Sequence, residues 1–162
     1  MNGREMIELT GLGRVLAFDW GAARIGVAAS DTTRTLASPR KAIVEKDKGR
    51  QIHLAAATVA EAEAVLVLVG LPVHLDGTPG ASARSATMFA EKLRGVLEAG
   101  KTGTPPAVVL VDERFTSKTA EQHLMTTRSS LKNRRDGALD SASAAVLLQS
   151  WLDSQSNRLS LL

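Results

Sequence analysis

The chain has 162 residues, a net charge of +3, no cysteine, two Trp, three Phe and no Tyr. That length suits one domain able to bury roughly 70% of its unfolded surface without a covalent staple. The lack of cysteine excludes disulfides and thiolate metal sites and fits the reducing cytoplasm, where we expect the protein. Scarce aromatics argue against a stacking platform for single-stranded bases, whereas a pI near 9.6 permits a nucleic-acid partner without demanding one. The opening MNGREMIELT has no apolar signal region, and the longest apolar run, 64–69, is too short to span a membrane.

In chain order, residues 1–13 read as a flexible N-terminal tail, 14–153 as the domain and 154–162 as a C-terminal tail. VLAF at 15–18 is a buried strand that runs straight into Asp19, and a second strand follows at 25–30. Gly21 should give the turn between them its freedom. Pro39 is expected to break the chain before a short third strand at 41–45. Helical spacing of Ile52, Ala55, Ala56, Val59 and Ala60 predicts a helix over 50–63. VLVLV at 65–69 is apolar on both faces, the pattern of a central parallel strand covered on both sides. A glycine-rich loop, a helix over 81–98 and a buried strand over 107–111 come next, the strand ending in Asp112-Glu113-Arg114. Thr116 or Ser117 should cap a helix running to about 125, then a polar, basic and mobile stretch leads to a last helix over 136–153. The order predicts an α/β fold: a five-stranded mixed sheet, three antiparallel strands then two parallel ones, flanked by helices.

Open sheets collect ligands at the carboxyl ends of their strands. Asp19 ends the first strand, Glu113 follows the last, and Asp140 lies near the start of the last helix. A carboxylate on a core strand is costly to bury unless paired or bound to a cation. Three carboxylates brought together this way fit a Mg²⁺ or Mn²⁺ site, and such metals suit phosphodiester cleavage. Each acid also has a plainer use. Asp19 suits a turn cap, Glu113-Arg114 a surface ion pair, and Asp140 a favourable place at a helix start. Asp136 shares the helix face of Asp140 and competes with it, while Asp31 and Asp112 suit turn caps. Arg24 and Arg114 can hold either a phosphate or one of the acids. Arg128, Lys132, Arg134 and Arg135 form a basic cluster suited to a nucleic-acid backbone or, equally, to a solvated loop. The glycine loop at 70–80 can cradle a phosphate through backbone N–H groups, but it lacks a Walker lysine. His53, His74 and His123 have no ligand spacing.

Four segments resemble the YqgF family, also called RuvX-type Holliday-junction resolvases, in the ribonuclease H-like superfamily. They are Asp19-Trp20-Gly21 with Arg24 to Ala28 and Ser30-Asp31; Val69-Gly70-Leu71-Pro72 with Asp76-Gly77 and Gly80; Val111-Asp112-Glu113-Arg114 with Thr116; and Asp140 with Ala144-Ala145, Leu148-Gln149 and Trp151-Leu152-Asp153. They fall in the family's order across about 14–153, and the first and third are specific to it. Ser117 stands where threonine is usual. The resemblance implies a ribonuclease H-like fold and divalent-metal nuclease chemistry at Asp19, Glu113 and Asp140. It also implies a role in maturing the 5′ end of 16S ribosomal RNA or in resolving four-way DNA junctions. Expected partners are therefore structured RNA or branched DNA, with the protein acting as a monomer or a homodimer. Two other classes compete: a non-catalytic ribosome-assembly module, and an actin-like sugar or acetate kinase, which would need a second domain to enclose ATP.

Overall fold

In a computed structural model, residues 11–72, 74, 76–100, 103–115 and 141–161 are described. The elements are β1 (Val15–Asp19), β2 (Arg24–Ser30), β3 (Ala37–Val44), α1 (Lys48–Glu61), β4 (Leu66–Leu71), α2 (Ala81–Ala99), β5 (Ala107–Asp112), a 3₁₀ turn (Glu113–Phe115) and α3 (Ala142–Ser160). The sheet order is β3-β2-β1-β4-β5. β1, β2 and β3 form an antiparallel meander, and β4 and β5 are added in parallel to β1. This is the predicted mixed sheet, a ribonuclease H-like fold.

Apolar alternation along the strands divides the core in two. Leu16, Phe18, Val67 and Val69 face α1 and α2, and Phe18 meets Phe89 edge to face with ring centroids 5.8 Å apart. Val15, Ala17, Leu66 and Leu68 face α3 through Ala144, Ala145, Leu148 and Trp151. Both faces of β1 and β4 are thus covered, which is why 15–18 and 66–69 read as unbroken apolar runs.

Several boundaries differ from expectation. Pro39 does not break the chain but lies inside β3, opposite Ala28. β3 is an edge strand, where a residue lacking an N–H is tolerated. The first helix begins two residues earlier, at Lys48, because the Asp47 carboxylate accepts the Arg50 N–H at 2.8 Å. Ala60, assigned to its buried face, is exposed. α3 continues through 154–160, where the Ser154 and Ser160 hydroxyls donate back to helix carbonyls. Gly21 is needed for room rather than for an unusual φ: an added Cβ would collide with the Arg24 carbonyl oxygen. The expected helix over 116–125 and the basic stretch lie outside the described residues.

Candidate metal centre

β1, β4 and β5 run in parallel, so their carboxyl ends share one edge of the sheet. Side chains alternate along a strand, and Val15 and Ala17 face α3; Asp19, two residues on, projects toward the same side. Opposite Asp19 on β2 is Gly26, which adds no side chain to that face. Glu113 opens the 3₁₀ turn directly after β5.

Between these two acids lies the end of β4. Phe18 pairs with Val69, and Gly70 pairs with Val111, so Gly70 stands between the end of β1 and the end of β5. A Cβ on Gly70 would lie 2.5 Å from Glu113 Oε1 and 3.1 Å from Leu147 Cδ2. The missing side chain is therefore the space into which the Glu113 carboxyl leans to reach Asp19. The pair formed this way is electrostatically unusual. Burial, the Asp19 charge, a hydrogen bond shared with Asp19 and the nearby Asp112 together push Glu113 up to about 7. Two carboxyls so placed must keep a proton between them or take a cation. An all-oxygen donor set suits Mg²⁺ or Mn²⁺.

Of the three predicted acids, Asp19 and Glu113 come together, and Asp140 lies outside the described residues. Among the described residues no group of three or more acidic or histidine side chains is placed to hold a metal ion together. Asp31 and Asp112 are turn caps, as expected. Asp31 Oδ1 accepts the Thr35 and Leu36 N–H groups at 2.8 and 2.9 Å. Asp112 Oδ1 accepts the Arg114 N–H at 2.9 Å.

Arg114 follows Glu113 directly, and its fork grips Asp112. Its Nε and Nη2 donate to Asp112 Oδ2 at 3.0 and 2.7 Å. This contact, assisted by Asp76, holds the guanidinium above its ordinary pKa. Arg114 also lies against the loop after β4, where a Cβ on Gly77 would be 3.2 Å from Nη1. In that loop the Gly77 N–H donates to His74 O, the His74 N–H to Thr78 O and the Thr78 N–H to Asp76 Oδ1. Those N–H groups are thus spent within the loop, which weakens the reading of the loop as a phosphate cradle. Arg24 opens β2 at the site end of the sheet, two positions before Gly26. Arg128, Lys132, Arg134 and Arg135 lie outside the described residues.

The sequence places Gly70 at the head of the glycine loop and in a segment shared with the family, and only the fold shows Glu113 leaning over it. The signal was present: a glycine closing a run of bulky apolar residues marks a place where another group comes close to the backbone.

Residues 13–154 match the RuvX family, described as Holliday junction resolvase. The chain belongs to the RuvX family. Two curated relatives are each named "Putative pre-16S rRNA nuclease". One, from Mycobacterium ulcerans (strain Agy99), is 39% identical over 144 residues, covering 89% of this chain and 81% of its own. The other, from Anaeromyxobacter sp. (strain Fw109-5), is 41% identical over 140 residues, covering 86% of this chain and 96% of its own. Two solved structures share the fold of this RuvX chain. RuvC of T. thermophilus in complex with a Holliday junction substrate aligns at a TM-score of 0.57 and 13% identity, covering 90% of this chain and 95% of its own. The yeast mitochondrial Holliday junction resolvase Ydc2 aligns at a TM-score of 0.55 and 14% identity, covering 94% and 92%. No helix among the described residues is long and apolar enough to cross a membrane.

Proposed function

We propose that this RuvX-family chain is a divalent-metal-dependent endonuclease that trims the 5′ end of precursor 16S rRNA in the cytoplasm. The observation that carries the reading is the Asp19–Glu113 pair, brought together over Gly70 at the carboxyl end of the sheet. Asp19 and Glu113, with Asp140 as third ligand, would hold Mg²⁺ or Mn²⁺. The bound cation supplies charge neutralisation and activation of water for phosphodiester hydrolysis. Arg24, Arg114 and the basic run of Arg128, Lys132, Arg134 and Arg135 would hold the phosphate backbone. Arg114 would do so with its guanidinium already oriented by Asp112.

The family description and the likeness to junction-resolving proteins support a second reading, cleavage of four-way DNA. Symmetric junction cutting requires two active sites and hence a two-fold dimer, whereas trimming of an RNA end does not.

The test is side-by-side cleavage of a precursor 16S RNA fragment and a mobile four-way DNA junction, with Mg²⁺, Mn²⁺ or EDTA. Metal-dependent cutting of the RNA, lost in Asp19→Asn, is the expected result. Cutting of the junction alone would replace the substrate. Binding without any cutting would favour a ribosome-assembly module.

A further inference from the structure

Four polar or charged side chains are buried among the described residues: Ser30, Gln51, Ser141 and Gln149. Two of them hold the end of the sheet remote from the acids. Ser30 Oγ accepts the Val15 N–H at 2.8 Å, and Gln149 bridges Ala37 N and Thr35 O. The other two grip backbone near Asp19 from opposite layers, Gln51 the turn after it and Ser141 the strand beside it.

From the α1 layer, the Gln51 amide donates to the carbonyls of Gly21, Ala22 and Glu45 at 3.3, 3.0 and 2.7 Å. Gly21 and Ala22 belong to the turn that follows Asp19, and the Ala23 carbonyl accepts the Glu45 N–H at 3.1 Å. Gln51 thereby ties that turn to the segment after β3. From the α3 layer, Ser141 Oγ accepts the Val27 N–H at 3.0 Å. The register of β2 against β3 shifts between Ile25 and Val27, and a hydroxyl from another element takes up the N–H beside that irregularity. Val27 adjoins Gly26, the cross-strand partner of Asp19. The Ser141 carbonyl also accepts the Ala145 N–H at 3.0 Å, so the same residue fixes the start of α3.

We infer that Gln51 and Ser141 are positioning residues that clamp the Asp19–Gly26 pair from the two faces of the sheet and so set the orientation of the Asp19 carboxylate for a divalent cation. Neither side chain would touch the metal or the substrate. Each fixes backbone within two or three residues of Asp19 or of its partner. Partners that hydrogen-bond a metal ligand directly typically change affinity by about 10–100-fold when removed, and a clamp acting through the backbone belongs at the lower end of that range. This rests on the metal-dependent reading above.

The experiment is calorimetric titration of Mn²⁺ into the full chain, with kcat and KM on the cleaved substrate measured in parallel. Gln51→Met and Ser141→Ala should each raise the Mn²⁺ Kd by about tenfold or more and lower kcat with KM nearly unchanged. Ser141→Thr retains an acceptor and should bind within about twofold of the wild type. Gln149→Met removes an equally buried amide at the far end of the sheet. It should lower the melting temperature of the metal-free protein yet leave the Mn²⁺ Kd unchanged. Should Gln51→Met fail to fold, Gln51→Asn, which draws the amide back by one methylene, takes its place. Wild-type affinity retained in Gln51→Met and Ser141→Ala, or an equal loss in Gln149→Met, would overturn the clamp alone. No Mn²⁺ binding by the wild-type chain would overturn the metal reading and the clamp with it.

Discussion

At the end of the sheet where β1 begins, the Ser30 hydroxyl and the Arg14 guanidinium are matched to backbone partners. Ser30 Oγ accepts the Val15 N–H and donates to the Asp31 carbonyl at 2.8 Å, and Arg14 donates to the carbonyls of Ser30 and Ala62. The end where β1 stops is built the other way. There Glu113 is pressed against Asp19, and a glycine makes the room. One end spends its polar groups on stability. The other keeps two carboxyls in mutual conflict, an arrangement that costs stability and creates a binding demand.

The comparison is broken most severely by removing one of the two acids. Asp19→Asn should reduce metal-dependent cleavage by more than about 100-fold, read as initial rate at saturating metal, while leaving the fold intact by circular dichroism. Gly70→Ala is the sharper variant, because it replaces neither acid. The new methyl occupies the place of Glu113 Oε1, so the Glu113 carboxyl must swing away from Asp19. Cleavage should fall by about 10–100-fold, the scale of a 1 Å misplacement, and Mn²⁺ affinity should fall with it.

Next in size is a difference in pH dependence, measured by thermal melts in EDTA. Glu113 titrates near 7 in the folded chain against an ordinary 4.5, so the folded state holds the extra proton between those values. Its contribution to stability is greatest below 4.5, declines as pH rises and is gone above about 7. Asp31 behaves oppositely. Burial alone would raise it, but hydrogen bonds from the Leu36 N–H, the Thr33 hydroxyl and the Thr35 N–H carry its pKa below the ordinary 3.8. Its contribution is present above 3.8 and is lost as pH falls through the lowered value. Glu113→Gln should therefore flatten the loss of stability on the neutral side, and Asp31→Asn the loss on the acid side.

The smallest effect on function belongs to the far end. Ser30→Ala strands the buried Val15 N–H and should cost about 1–3 kcal/mol in denaturant unfolding. Cleavage by the variant well below its melting temperature should match the wild type.

How much of this was legible in the sequence depends on how local the cause is. β1 and β4 were legible because burial on both faces imposes an unbroken apolar run, and Asp19 stood out because it interrupts one. Causes that act between elements were not. Pro39 reads as a break until β3 is known to be an edge strand. Gly70 reads as a strand end until β5 places Glu113 beside it. Gln51 and Ser141 carry no pattern at all, since each is defined by the carbonyl or N–H it meets on another element. Asp47, by contrast, is a local signal: a capping residue just ahead of the first helix.

The central claim is that Asp19 and Glu113 jointly hold a divalent cation. Its most direct test is calorimetric titration of Mn²⁺ at pH 6 in buffers of different ionisation enthalpy, which counts the protons released on binding. At that pH the carboxyl that titrates near 7 is mostly protonated, and it must ionise to become a ligand. The wild-type chain should release close to one proton per Mn²⁺ bound, and Glu113→Gln close to none. Binding without proton release, or release that persists in Glu113→Gln, would contradict the claim.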